Sequence, residues 1–417
     1  MATGTDPVVG SAYGRGRPEP DNELTRVGPG TPMGELLRRA WQPVGLTPEP
    51  GSPPQAIRIL GEDLVLYCDG SGRPGLVEPR CAHRGTTLYY GKVTDDGISC
   101  CYHGWTFATA DGRCIDAPME PPATLANIRR TVVQPWYPCV DYHGLTFAWM
   151  GPPEARPPFP TWDVLEAPSD DPDRPDAILA DASGYGLGGG TVLGCNWLQV
   201  FENVMDPYHV FVLHSTFSVQ QFSDAMAVLP SVEWASTDTG VLTYQDRTLE
   251  DGSTYRRITE CFLPNARIVP NVGAGTPGEG YRSGGALGFV VPIDDTTTTM
   301  FSLLRCRTDD DGVAVFPPRA TWGGRSWDEL TEAEHQAMPG DHEAQVGQGT
   351  ITIHATEHLG HTDRGVQMVR RRLREQLRAL AAGEPLGGLA SGLDTVTSVA
   401  GNALHPPGRL PEPPGSF

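Results

Sequence analysis

Two short segments, Cys81-Ala82-His83 and Cys100-Cys101-Tyr102-His103, each pair a thiol with an imidazole, and sixteen residues separate them. A chain that uses all four as ligands must hold two loops face to face. Tight turns joining short strands do this. A glycine follows each segment (Arg84-Gly85 and Gly104-Trp105), so the backbone can turn sharply and bring N–H groups close to a ligand. Structural zinc sites more often group Cys with Cys and His with His, whereas each pair here is mixed. A [2Fe–2S] cluster with two Cys on one iron and two His on the other fits the mixture, because each loop then reaches both irons. Cys81, His83, Cys100 and His103 are the expected ligands, and Cys101 has the wrong spacing. Nine cysteines with no regular framework point to reduced thiols and metal ligation. The other six, at 68, 114, 139, 195, 261 and 306, are read as core thiols.

A second metal pattern lies about a hundred residues downstream, in 202–214. On a helix Asp206 and His209 share a face. His209 and His214 are five apart, which is about 140° around a regular helix. They can meet at one ion only if the helix bends, bulges or ends between them, and Pro207 makes such an irregularity expected. With a distant carboxylate, Asp363, they make two His and one Asp, the facial triad of non-haem Fe(II) oxygenases, which leaves positions open for O₂.

The rest of the chain sets the frame. A net charge of −20 argues against nucleic acid and against an anionic membrane surface. No run of 18 apolar residues predicts a membrane span. Residues 1–22 lack a basic start and apolar core, so no secretory signal is read and the expected compartment is the cytoplasm. The 50 glycines and 40 prolines predict many loops and few, short helices. Thr31 can cap a helix over 32–41. Short β-like runs at 56–59, 64–67, 76–79 and 145–149 read as a small all-β domain. The Pro-rich 152–160 is a stiff connector. Beyond it, 196–213 reads as helix and 240–247, 255–262, 286–291 and 298–305 as strands. Residues 308–349 read as a polar surface excursion. An amphipathic helix over 362–382 carries Val366, Val369, Leu373, Leu377 and Leu380 on one face. The expected division is a disordered tail at 1–20, an N-terminal helical segment at 21–42, an all-β cluster domain at 43–160, a catalytic domain at 161–382 and a Gly/Pro-rich tail at 383–417.

The joint pattern Cys81-x-His83…Cys100-x₂-His103 followed by Glu202-x₃-Asp206-x₂-His209-x₄-His214 resembles the α-subunit of Rieske non-haem iron aromatic ring-hydroxylating oxygenases. Residues 21–39, Glu357-His358-Leu359 and Thr362-Asp363-Arg364-Gly365-Val366 are similar to the phthalate 4,5-dioxygenase branch. The resemblance implies an α+β fold: a small all-β Rieske domain plus a helix-grip catalytic domain, an antiparallel sheet with covering helices. It implies a Rieske [2Fe–2S] cluster and a mononuclear Fe(II) held by His209, His214 and Asp363. It implies a homotrimer in which Asp206, as the catalytic bridge, links to a cluster histidine of the neighbouring subunit.

Electrons would come from an NAD(P)H-dependent flavin and [2Fe–2S] reductase or a ferredoxin. Gly186-Leu187-Gly188-Gly189-Gly190 ends in Thr191, without the sixth glycine of a dinucleotide fingerprint, and reads as a glycine loop. The expected reaction is hydroxylation or demethylation of a small organic substrate with O₂. No Lys or Arg occurs from Ser215 to Gln245, which favours a largely apolar aromatic or cyclic substrate over a dianion. Arg247, Arg267, Arg282 and Arg305 remain as cations that can meet it. The alternatives are a Rieske electron-transfer protein without oxygenase activity and a zinc-stabilised binding protein.

Overall fold

The computed structural model describes residues 16, 18–166, 176–183, 192–217, 220–270, 285–306, 308, 309, 311, 313 and 325–408. The expected tail at 1–20 falls almost wholly outside these residues, as do the glycine loop at 186–190 and Arg282.

Three small antiparallel sheets build the first half. Gln55–Ile59, Glu62–Cys68, Pro74–Val77 and Trp136–Tyr137 form one, and Lys92–Val93, Gly97–Ser99, Thr106–Ala108 and Cys114–Asp116 another. Trp41–Leu46, Leu145–Trp149 and Cys139–Tyr142 make the third. Alternating β-branched and aromatic residues drive this: Val65, Tyr67, Val77, Ile98, Phe107 and their neighbours close a small core of their own. The helix capped by Thr31, whose Oγ1 accepts from the Gly34 N–H, runs only Pro32–Leu37. Trp41 already opens a strand. The Pro-rich connector is pinned rather than free: Phe159 packs edge-on against Trp41 and Phe147, and Pro157 O accepts from Trp41 Nε1.

Among the described residues the second half holds one antiparallel sheet of nine strands, beside a small parallel pair, Thr161–Trp162 with Thr395–Val396. Along its path lie Ala177–Asp181, Thr298–Cys306, Gly285–Pro292, Ala266–Pro270, Thr254–Phe262, Gly240–Thr248 and Ser231–Ser236, with Val192–Leu193 beside Thr298–Cys306. Glu250-Asp251-Gly252, a turn-forming sequence, joins two of these strands in a hairpin, with Thr248 facing Thr254. The segment after 383 is not only loop. Gly401–His405 pairs with residues 254–258 and completes the edge that Ala266–Pro270 covers only at residues 260–262. Unpaired backbone groups on a long strand are costly, and this return strand satisfies them.

The 19-residue helix Arg364–Ala382 covers the sheet and ends at Gly383, φ +68°. It buries Val366, Val369, Leu373 and Leu377, each contributing roughly 1.5–3 kcal/mol. Gly365 lets it come close: a Cβ there would lie 2.2 Å from Met205 O and 2.4 Å from Trp234 Nε1. Trp234 Nε1 donates to Met205 O (3.0 Å), tying sheet, helix and the 202–214 stretch together. Trp234 faces Thr243 in the register, so its side of the sheet is the helix-covered one. No helix among the described residues is long and apolar enough to cross a membrane.

Candidate metal centres

The two Cys/His segments fold into matching loops. Cys81 N–H donates to Thr86 O (2.9 Å) and Gly85 N–H to Cys81 O (2.8 Å). In the second loop Cys100 N–H donates to Trp105 O (2.8 Å) and Gly104 N–H to Cys100 O (3.0 Å). The same bond pattern therefore closes both loops. Each glycine takes a positive φ, +75° at Gly85 and +72° at Gly104. Both thiols are buried while the histidines are half-buried, so the imidazoles lie on the outward side. The His83 ring stacks on Trp105 at 4.3 Å and meets His103 at 4.7 Å between centroids. Gln134, fully buried, clamps the first loop: its Oε1 accepts from Ala82 N–H, and its Nε2 donates to Glu78 O and Arg80 O.

Burial pushes the Cys81 thiol up to about 11, with Cys100 beside it. Burial, with the neighbouring His103 and Arg84 charges, pushes His83 down, which keeps its imidazole neutral. Two sulfurs inside and two imidazoles outside suit a cluster ligated asymmetrically, and metal binding would supply the charge that holds the thiolates. Gly104→Ala is expected to destabilise the loop by about 1–2 kcal/mol from the left-handed backbone alone. Its Cβ would also stand 2.9 Å from Pro118 Cγ. A lower melting temperature with less acid-labile sulfide per chain would report this, and unchanged values for both would mean the loop relaxes freely.

The second centre sits where the helix changes pitch. Trp197–Asn203 is α-helical, the chain breaks at 204–207, and Tyr208–Phe211 resumes the helix. Val212–Thr216 then forms a π-turn, closed by Phe217 N–H to Val212 O at 2.8 Å. The wider turn is the irregularity the five-residue spacing demands. His209 and His214 come to 5.4 Å between ring centroids. The carboxylate that meets them is Asp341: its Oδ1 lies 3.5 Å from His209 Nε2 and its Oδ2 3.3 Å from His214 Nε2. One donor atom from each of the three falls within 4.8 Å of the others.

Each donor has its own support. Gln221 Oε1 lies 2.7 Å from His214 Nδ1, while Gln221 Nε2 donates to Pro339 O. Asn203 Nδ2 donates to Asp341 Oδ1 (3.0 Å). Asp206 Oδ2 stands 3.6 Å from His209 Nδ1, and its Oδ1 accepts from the Tyr208 and His209 N–H groups. Such partners fix imidazole orientation and raise ligand basicity. Burial works against the charge on Asp341, but the His214 and His209 rings and the Asn203 amide outweigh it and hold the carboxyl far below its usual range. Burial likewise opposes a charged His209, and Asp206 and Asp341 overcome it, raising its pKa. His214 Nε2 is buried with no hydrogen-bond partner. A buried orphan nitrogen beside an ionised carboxylate and a second imidazole fits a divalent cation, with one face left open.

Asp363 lies elsewhere. It precedes the Arg364–Ala382 helix, and its Oδ2 accepts from Gly360 N–H at 2.6 Å, closing its own turn. The carboxylate beside the two imidazoles is Asp341 where the sequence pointed to Asp363, and it opens the short helix Asp341–Val346 inside the stretch read as a surface excursion. The signal was present: Pro339-Gly340-Asp341-His342-Glu343 reads as a helix start, with Glu343 Oε2 accepting from Gly340 N–H. Glu202 does not touch this centre. It pairs with Arg370 at 2.5 Å, and Glu357 pairs with the same guanidinium. Phe289 packs edge-on against Phe147 and Trp162 on the opposite side of the sheet.

Residues 40–137 match the Rieske [2Fe-2S] domain family. The chain is 44% identical over 393 residues to the phenoxybenzoate dioxygenase subunit alpha of Ectopseudomonas oleovorans, covering 92% of each. It is 37% identical over 405 residues to the tert-butanol monooxygenase / tert-amyl alcohol desaturase oxygenase subunit of Aquincola tertiaricarbonis, covering 90% of this chain and 80% of that one. Its fold is similar to that of dicamba monooxygenase bound to dicamba, with a TM-score of 0.55 at 21% identity, over 84% of this chain and 100% of that one. Two metal centres of this chemistry and near full-length likeness to oxygenase subunits leave no room for a bare electron carrier. The chain belongs to the family of Rieske oxygenase α-subunits: it is the oxygenase component of a multi-component system, carries a Rieske [2Fe–2S] cluster and a mononuclear iron, and works with an electron-transfer partner and O₂.

Proposed function

We propose that Cys81, His83, Cys100 and His103 hold the cluster, that His209, His214 and Asp341 hold the iron, and that the enzyme hydroxylates or demethylates an aromatic substrate with a largely apolar body. The observation that carries this is the convergence of two imidazoles and one carboxylate at the π-turn, in a chain whose other half presents twin Cys/His loops. The cluster, when bound, exchanges single electrons and the ferrous ion activates O₂.

The chain's own residues orient and enclose. Gln221 and Asp206 fix the two imidazoles, and Asn203 fixes Asp341. Trp197–Asn203, the π-turn and the Arg364–Ala382 helix cover the sheet and keep water from the reacting groups. The relative that acts on phenoxybenzoate by name supports an aromatic substrate.

The assembly is a homotrimer in the cytoplasm, supplied by a flavin and [2Fe–2S] reductase or a ferredoxin. In it Asp206 hydrogen-bonds to a cluster-binding histidine of the next subunit. Two features support that role. Asp206 keeps 29% of its side chain exposed beside His209, and burial of its carboxyl is outweighed by His209, so it stays ionised. Of the cluster histidines, His103 packs against the exposed Tyr102, 3.9 Å between ring centroids.

Asp206→Asn tests the reading. Turnover with a competent reductase is expected to fall about 100-fold, as for a lost buried charge-assisted bond with its geometry. Iron and sulfide per chain should hold. A variant that keeps full turnover would reject the bridge, and light scattering of the native protein at a monomer mass would reject the trimer.

A further inference from the structure

The first cluster loop has one donor that its own turn does not use. Cys81 N–H is taken by Thr86 O, and Gly85 N–H by Cys81 O. The His83 and Arg84 N–H groups lie toward the Cys81 sulfur and favour its thiolate against burial. Ala82 N–H is left, and Gln134 Oε1 meets it from outside the loop at 2.8 Å. The Gln134 amide then directs its two N–H donors to the segment that leads into the loop, at Glu78 O (2.8 Å) and Arg80 O (3.0 Å). Only this orientation of the amide works: turned over, its oxygen would face two carbonyls and its nitrogen an N–H. Gln134 is fully buried, so no bulk water stands in for these partners.

The same residue is anchored on the hairpin of the other loop. Gln134 N–H donates to Gly112 O (2.8 Å), in the turn between Thr106–Ala108 and Cys114–Asp116, the two strands that follow the second loop. The turn packs closely against it: a Cβ on Gly112 would lie 2.3 Å from Gln134 O and 2.6 Å from Trp136 Cδ1. Arg113 and Val133 pair beside this contact. The second loop is held by its sequence neighbours, since Gly104 O accepts from the Ser99 and Thr106 hydroxyls. The first is held by a residue 52 positions away. One buried side chain therefore ties the first ligand loop to the frame that carries the second, and with it the two N–H groups turned to the Cys81 sulfur. Hydrogen bonds to the sulfurs help set the potential of such a cluster, and the partners that orient a ligand segment decide whether those bonds form.

We propose that Gln134 is a positioning residue for the Rieske cluster: it holds the first ligand loop in the turn that keeps the His83 and Arg84 N–H groups toward the Cys81 sulfur, and so raises the reduction potential. This role rests on the assignment of Cys81 and His83 as cluster ligands. What it adjusts is a one-electron exchange with the electron-transfer partner, in which no bond is made or broken at Gln134.

Gln134→Met tests it, because Met has the length of Gln without the amide. The readouts are iron and sulfide per chain and a redox titration of the full chain, followed by the EPR signal of whatever fraction is loaded. The midpoint is expected to fall by about 59 mV, a one-electron equilibrium shifted roughly 10-fold toward the oxidised form, the worth of one hydrogen bond. Ala82→Pro removes the donor alone: Ala82 is exposed and opens the turn closed by Gly85 N–H, a place that suits proline. It should shift the midpoint the same way, and the double variant should stay within about 2-fold of Gln134→Met, since both changes break one bond. Ile128→Ala, in the buried core of the same domain, should lower the melting temperature and leave the redox equilibrium within about 2-fold of native. A loaded Gln134→Met with native midpoint and g values overturns the assignment. So does a double variant whose shift is the sum of the two, or an Ile128→Ala that shifts as far. Should Gln134→Met carry no cluster, Ala82→Pro decides alone, and a native or raised midpoint there overturns the role. A Cys81→Ala variant that keeps the native EPR signal would instead sink the ligand assignment, whatever Gln134 does.

Discussion

Asp341→Ala is expected to abolish turnover and to remove about one iron per chain, leaving about two iron and two sulfides from the cluster. The reduced Rieske EPR signal should be unchanged. The expectation follows from the geometry: Asp341 presents both carboxylate oxygens to His209 Nε2 and His214 Nε2, and nothing else among the described residues brings a carboxylate to that pair. Asp363→Ala is the decisive contrast. Its carboxylate serves Gly360 N–H, so that variant should keep about three iron per chain and lose stability by about 0.5–2 kcal/mol, the cost of a lost cap. Iron and sulfide analysis of anaerobically purified variants decides between them. Should Asp363→Ala shed one iron while Asp341→Ala keeps its full load, the ligand assignment is reversed.

Arg370→Met should be the most destabilising change away from the metals. Arg370 is buried between Glu202 and Glu357, donating to Glu202 through Nε (2.8 Å) and Nη2 (2.5 Å). Its loss strands a buried carboxylate, which typically costs about 3–5 kcal/mol. The pH dependence carries a sign. Burial raises the Glu202 pKa, and Arg370 is what pulls it down. Glu202 already sits above its ordinary range with Arg370 in place, and without Arg370 its folded-state pKa rises further. Stability of the variant is then least impaired below the unfolded value of about 4.3 and falls as pH climbs through the raised folded value. Urea denaturation at pH 4 and pH 7.5 should show the larger deficit at pH 7.5. A deficit that does not depend on pH would mean the loss is one of packing alone. The same variant also tests support of the iron centre, because Glu202 precedes Asn203, the donor to Asp341.

How far the sequence led differs between the two centres. The cluster loops were legible because all that makes them is local: ligands, turn glycines and closing bonds fall within 81–86 and 100–105. The two iron-facing histidines were legible for the same reason, and their five-residue spacing even required the π-turn that the structure contains. The hairpin at 248–254 and the helix Arg364–Ala382 followed from turn chemistry and a periodic apolar face. Glu202 is different: its partner Arg370 lies 168 residues away.

Which carboxylate meets the two imidazoles was decided by tertiary structure. Asp341 and Asp363 are both acidic residues at the start of a helix, 22 positions apart, each preceded by glycine or a short polar turn. Local chemistry is the same in the two places, so propensity and periodicity cannot rank them. Only packing brings one helix start against the π-turn and leaves the other closing its own turn. The same holds for Gly401–His405, a five-residue run in a Gly/Pro-rich segment that becomes a strand because half of an edge awaits it. Ligands and turns within one loop are written in the chain, because their geometry depends on few bonds. Contacts between segments far apart in sequence depend on how every intervening element packs, and no local pattern encodes that sum.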